Sequence, residues 1–169
     1  SLKGLAVLII FLAFRSEFDS ILDGIVYAAI AALGFAATEN AYYIYNYGFL
    51  ENGFPGAYTL AFLRVVLVGW QHPFYMAFIG VGLATARLSH NKAAVILAPI
   101  VGYSGAVFMH AFHNMLASLL PDATLMIRGT LIDWSGWFVM FSFIIWAIDR
   151  DHRWIVQQLH EEVDFQVST

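Results

Sequence analysis

The chain has 169 residues, 60% of them hydrophobic and only 12% charged, a balance that a water-soluble fold could not carry without large exposed apolar patches. It contains no cysteine, which excludes disulfides, thiolate metal sites and a cysteine nucleophile. Its formal charge of -4 supplies no basic surface for nucleic acid, so nucleic acid is not expected as a partner.

The solvent that suits this composition is membrane lipid, and the fold class expected is an all-α, polytopic transmembrane helical bundle. Each crossing needs roughly 20 apolar residues, which allows about five spanning segments, the first one truncated. The apolar run 5–14 is too short to span alone. Arg15-Ser16-Glu17-Phe18-Asp19 follows it in place of a signal-peptide cleavage pattern, so the run reads as the tail of a transmembrane helix. A second crossing is expected over 21–47, bounded by Asp23 and by a loop at 48–56 rich in Gly, Asn and Pro. Segment 57–87 would be roughly 45 Å long as one helix, too long for an untilted crossing. Pro73 disfavours helical geometry at His72, so a break there is expected, with a short helix over 58–70 and a spanning helix running to 87.

Ser89-His90-Asn91-Lys92 separates this segment from a fourth crossing at 93–120, which Pro121-Asp122 ends. A fifth crossing, 131–148, carries Trp134, Trp137 and Trp146 near its ends, where interfacial aromatics belong. From Asp149 the chain is polar, with Ile155, Leu159 and Val163 four apart, as in a short amphipathic helix lying on the membrane or on a partner. The organisation expected is thus a membrane-embedded domain, 1–149, and a polar tail, 150–169. Arg15, Arg87, Lys92, Arg150 and Arg153 fall on one side of the bundle, and Lys3 and Arg128 on the other, with Arg64 unassigned. The first side, with the C-terminus, is expected to be cytoplasmic.

Ionisable groups inside spanning helices are expensive, which makes each a functional candidate. Glu39 lies roughly 24 Å up from Asp23, His72 roughly 22 Å up from Arg87, and His110 roughly 27 Å up from Lys92. Three helices therefore offer an acid and two imidazoles at one depth. His110 and Asn114 are four apart and share a helix face, with His113 partly on it. A carboxylate and a histidine facing that pair would activate water, leaving a histidine and an amide to stabilise an oxyanion. Glu39, His72 and His110 would equally serve as ligands to a divalent metal such as zinc, and spacing does not decide between the two. Structural roles stand beside each: a paired carboxyl at Glu39, an imidazole satisfying kinked backbone at His72, and interhelical hydrogen bonds at His110, His113 and Asn114.

Leu22-Asp23-Gly24-Ile25-Val26-Tyr27, followed by Gly34-Phe35-Ala36-Ala37-Thr38-Glu39-Asn40, resembles the signature of the PrsW family, in which a phenylalanine precedes a glutamate by four. Gln71-His72-Pro73-Phe74 is similar to the family's next motif. His110-Ala111-Phe112-His113-Asn114 is similar to the last, a histidine followed four residues on by asparagine or aspartate. The resemblance covers residues 3 to 120 and implies an intramembrane protease related to the CAAX prenyl-endopeptidase and bacteriocin-processing group. Such proteases cleave membrane-anchored substrates, an anti-sigma factor for example, through a glutamate-activated or metal-bound water. The resemblance maps Glu39, His72, His110 and Asn114 onto functional positions, and it implies a bacterial plasma membrane. The family's first motif is a glutamate pair followed two residues later by lysine; Lys3 matches that lysine, and the pair would fall just before Ser1. Either the natural protein supplies it there, as a start at Ser1 and not Met suggests, or the protein is a noncatalytic relative packed in a larger membrane complex. Haem or pigment-metal binding by the intramembrane histidines is a third class of function.

Overall fold

The computed structural model describes residues 2–119 and 123–167. Every regular element among them is helical: α1 (Leu2–Ala13), a 3-10 turn (Arg15–Glu17), α2 (Ile21–Tyr43), a first π-helical segment (Ile44–Phe49), α3 (Leu50–Ala61), a second π-helical segment (Phe62–Leu67), α4 (Gln71–Leu88), α5 (Lys92–Leu119) and α6 (Ala123–Val167). The Pro121-Asp122 turn and the side chains of Lys3 and Arg128 lie outside the described residues.

Among the described residues three helical runs are long and apolar enough to cross a membrane, namely Ile21–Leu88, Lys92–Leu116 and Gly129–Val163. The first folds back on itself, and a shorter apolar helix, Gly4–Ala13, precedes it. On α5 the side chains of Ile96, Leu97, Ile100, Val101 and Phe108 are all more than half exposed, an apolar surface suited to lipid. The protein is accordingly an all-α integral membrane bundle. Helices satisfy every backbone group internally, so they are one of the two structures that can span hydrocarbon.

α2 begins at a capping box: Ser20 Oγ accepts from the Asp23 N–H at 3.1 Å, and Asp23 Oδ2 accepts from the Ser20 N–H at 2.8 Å. The loop expected at 48–56 is not there. The chain stays helical through Phe49 and reverses sharply at Asn52 and Gly53, where Gly53 adopts φ 62° and ψ -153°. Only glycine adopts that backbone without strain, and with Asn52 it makes in two residues the turn that composition spreads over nine positions. The break expected beside Pro73 is present, but it lies at Val68 to Trp70, just before α4, and His72 itself is helical. The second π segment ends with the Val68 N–H bonded to the Leu63 carbonyl at 3.0 Å, the turn spans Val68 to Trp70, and α4 starts at Gln71. Pro73 thereby sits in the first turn of α4, where a helix needs no N–H donor, and the helix forms around it. The polar stretch from Asp149, expected as a helix of its own, is helical as an unbroken continuation of α6.

α4 is the axis of the bundle, packed between α2 and α5, with Phe74, Tyr75, Met76, Ala77, Ile79, Leu83 and Ala84 all buried. Its crossing with α2 is made by Gly24 and Gly80, whose backbones touch: a Cβ on either would run into the carbonyl of the other. Small residues at such points let two backbones gain van der Waals contact that bulkier side chains forbid. Gly80→Val is therefore expected to lower stability by roughly 1–3 kcal/mol or more, the cost of overpacking a close contact. Gly34→Ala, at a position open on all sides, should leave stability equal or slightly higher. Thermal unfolding of both variants in the same detergent checks this, and a Gly80→Val protein that melts with the wild type would show that the crossing is looser than described.

Candidate active site

The bundle brings acid and imidazole together in the order that the helices dictate. Phe35 and Glu39 are one turn apart on α2 and both meet His72, in the first turn of α4. The Phe35 ring lies 6.3 Å from the His72 ring, centre to centre, and His72 Nε2 lies 3.0 Å from Glu39 Oε2. Across α4, the His72 ring is 5.8 Å from that of His110 on α5. A cavity of about 220 Å³ opens here, with His72, His110 and Asn114 in its wall beside Tyr75, Tyr103 and the apolar Met76 and Ile79. Three of the four expected site residues line this cavity, and Glu39 reaches it through His72. His113 stands apart from the cavity wall and contacts the Tyr75 ring at 5.9 Å.

Two contributors were missed in the sequence. Tyr75 is three residues beyond His72, hence on the same side of α4, and its ring stacks on His110 at 5.3 Å and 14°. The stack holds the imidazole flat against the buried core side of the cavity, and helical spacing from His72 was the available signal. Arg64, on the second π segment, puts Nη2 3.3 Å from Glu39 Oε2 and Nε 3.0 Å from Asn40 Oδ1, while its guanidinium carbon sits 3.9 Å from the centre of the Tyr43 ring. Counting cations beside the loops leaves it unassigned. A cation amid an apolar run is itself the signal of an intramembrane site.

The electrostatics follow from the partners. Glu39 faces an imidazole and a guanidinium, both partly shielded from solvent. The donor set was also tested as a metal site. Among the described residues no group of three His, Asp or Glu side chains is arranged to hold a metal ion, and the Glu39 oxygen that faces His72 is also engaged by Arg64. As arranged, then, Glu39, His72 and His110 do not fit as a ligand set.

The chain is 28% identical over 120 residues to Protease PrsW of Oceanobacillus iheyensis, a stretch covering 70% of this chain and 50% of that protein. It is 37% identical over 81 residues to Protease PrsW of Bacillus subtilis, covering 48% of this chain and 33% of that protein. The chain thus spans at most about half the length of these curated relatives. No solved structure matches it. Residues 1–148 match the family described as PrsW family intramembrane metalloprotease, and the chain belongs to that family.

Proposed function

We propose that this chain is the membrane-embedded part of an endopeptidase that hydrolyses a peptide bond in a membrane-anchored protein. The observation that carries the reading is the 3.0 Å approach of His72 Nε2 to Glu39 Oε2, beside a cavity that His110 and Asn114 also line. The carboxylate beside His72 stabilises the imidazolium formed when the ring takes a proton from water. The water oxygen bonds to the scissile carbonyl carbon, and the carbonyl oxygen gains negative charge. His110 and the Asn114 amide are the donors that meet it. Return of the proton from His72 to the leaving nitrogen lets the C–N bond break, giving a carboxylic acid and an amine. No step passes through a metal.

The relatives come from Bacillus-type bacteria, which supports a bacterial plasma membrane as the location. Arg87 Nε donates to the Arg15 carbonyl at 3.4 Å, so these two cations share one end of the bundle. That end is read as cytoplasmic, with the part of α6 from residue 150 onward on the same side.

The test is to reconstitute the full-length protein in lipid vesicles and follow a library of membrane-anchored peptides by mass spectrometry. Cleavage at a defined bond is expected. No cleavage across a broad library would overturn the reading in favour of a noncatalytic membrane subunit.

A further inference from the structure

We infer that Arg64 is a positioning residue for this site, holding the Glu39 carboxylate against His72; the inference rests on the roles proposed for Glu39 and His72 above. Arg64 lies within an apolar run of a membrane helix, where an arginine is costly unless its surroundings repay it. Its surroundings are unusually complete. Glu39, Asn40 and Tyr43 occupy one strip of α2, and each takes a different part of the guanidinium: Nη2 goes to Glu39 Oε2 at 3.3 Å, Nε to Asn40 Oδ1 at 3.0 Å, and the flat face to the Tyr43 ring at 3.9 Å. Asn40 closes the arrangement by donating Nδ2 to the Arg64 backbone carbonyl at 3.5 Å.

The rigidity of the group turns these contacts into positioning. A guanidinium is planar and presents its N–H groups in a fixed fork, so fixing two nitrogens and one face fixes the whole plane. The Glu39 oxygen that Arg64 holds is the same oxygen that faces His72. A glutamate has three side-chain torsions to settle, and a guanidinium braced by its neighbours removes that freedom before substrate arrives. Lysine would bring the charge without the fork or the stacked face. The π-helical turn suits the task as well, because irregular helical turns of this kind re-aim one side chain within an otherwise regular helix.

The test compares full-length wild type with Arg64→Ala, Arg64→Lys and Asn40→Ala in two measurements. The first is steady-state cleavage of a membrane-anchored peptide. Arg64→Ala is expected to lower kcat roughly tenfold or more, as loss of a residue orienting a reacting group does, with KM held. Arg64→Lys should recover part of that loss, and Asn40→Ala should show a smaller loss of the same kind. The second is the 15N resonance of the His72 imidazole in histidine-labelled protein, identified by its loss in His72→Gln. It should move in Arg64→Ala. Unchanged kcat in a folded Arg64→Ala protein, a change confined to KM, or an unmoved His72 resonance would each overturn the inference. Should Arg64→Ala fail to fold, Arg64→Lys and Asn40→Ala decide by the same two readouts. A wild type that cleaves nothing defeats the protease reading separately, and the resonance alone then decides whether Arg64 orders the Glu39–His72 pair.

Discussion

Glu39→Gln is expected to lower kcat by roughly a hundredfold or more, within the range found for loss of acid–base assistance. Gln preserves the volume and hydrogen-bonding reach of the side chain but not its charge, so it keeps α2 against α4 while leaving the imidazolium of the transition state without its counter-ion. His72→Asn should cost at least as much, since it removes the base itself. The more telling result is the double variant. Residues acting as one unit lose most of their effect with the first substitution, so Glu39→Gln/His72→Asn should be little worse than His72→Asn alone. Single-turnover cleavage by the three variants in vesicles measures this. Multiplicative losses would mean that the two side chains contribute independently, against the dyad, and a Glu39→Gln enzyme with wild-type kcat would remove Glu39 from the chemistry.

Asn114→Ala should leave the fold intact and reduce kcat on the order of a hundredfold to a thousandfold, the usual consequence of removing one oxyanion donor from a water-poor site. Asn114 is exposed and lines the cavity, so its truncation opens no hole in the core. The matched control is His113→Ala one position earlier. His113 meets the Tyr75 ring and is not part of the cavity wall, so its loss should be small by comparison. Kinetics of both variants on one peptide, with thermal unfolding in parallel, separate the roles. Equal activity of Asn114→Ala and wild type would eliminate it as an oxyanion donor.

Much of this was legible beforehand, because lipid imposes simple rules. Long apolar runs must be helices, and the residues that break their apolarity are few enough to inspect singly. Glu39, His72, His110 and Asn114 were conspicuous for that reason. What stayed hidden depended on tertiary geometry. Nothing local shows that Asn52 and Gly53 would make the turn while Gly48 remained helical, because composition marks a region and only the backbone chooses the residues. The break near Pro73 falls two to four residues before His72 for a related reason: proline forbids a helix interior but is welcome in a first turn, and which of these applies depends on where the preceding segment stops. Arg64 was in plain view, but its partners on α2 are 21 to 25 positions away in the chain, a proximity that no periodicity encodes.

The unbroken course of α6 has a mechanical consequence. Its 45 residues make a rod of roughly 68 Å, more than twice the hydrocarbon thickness of about 30 Å, so a large part of it must project beyond the bilayer as a stiff mast. The mast is stepped near the active site: Trp134 Nε1 donates to the Leu67 carbonyl at 2.8 Å, at the end of the turn that carries Arg64, and the Trp137 ring packs on Phe74 at 5.7 Å, two residues past His72. A sideways load on the far end therefore acts through a long lever arm on a fulcrum beside the cavity. Torque applied outside the membrane is delivered, by stiffness alone, to the two segments that bear Arg64 and His72.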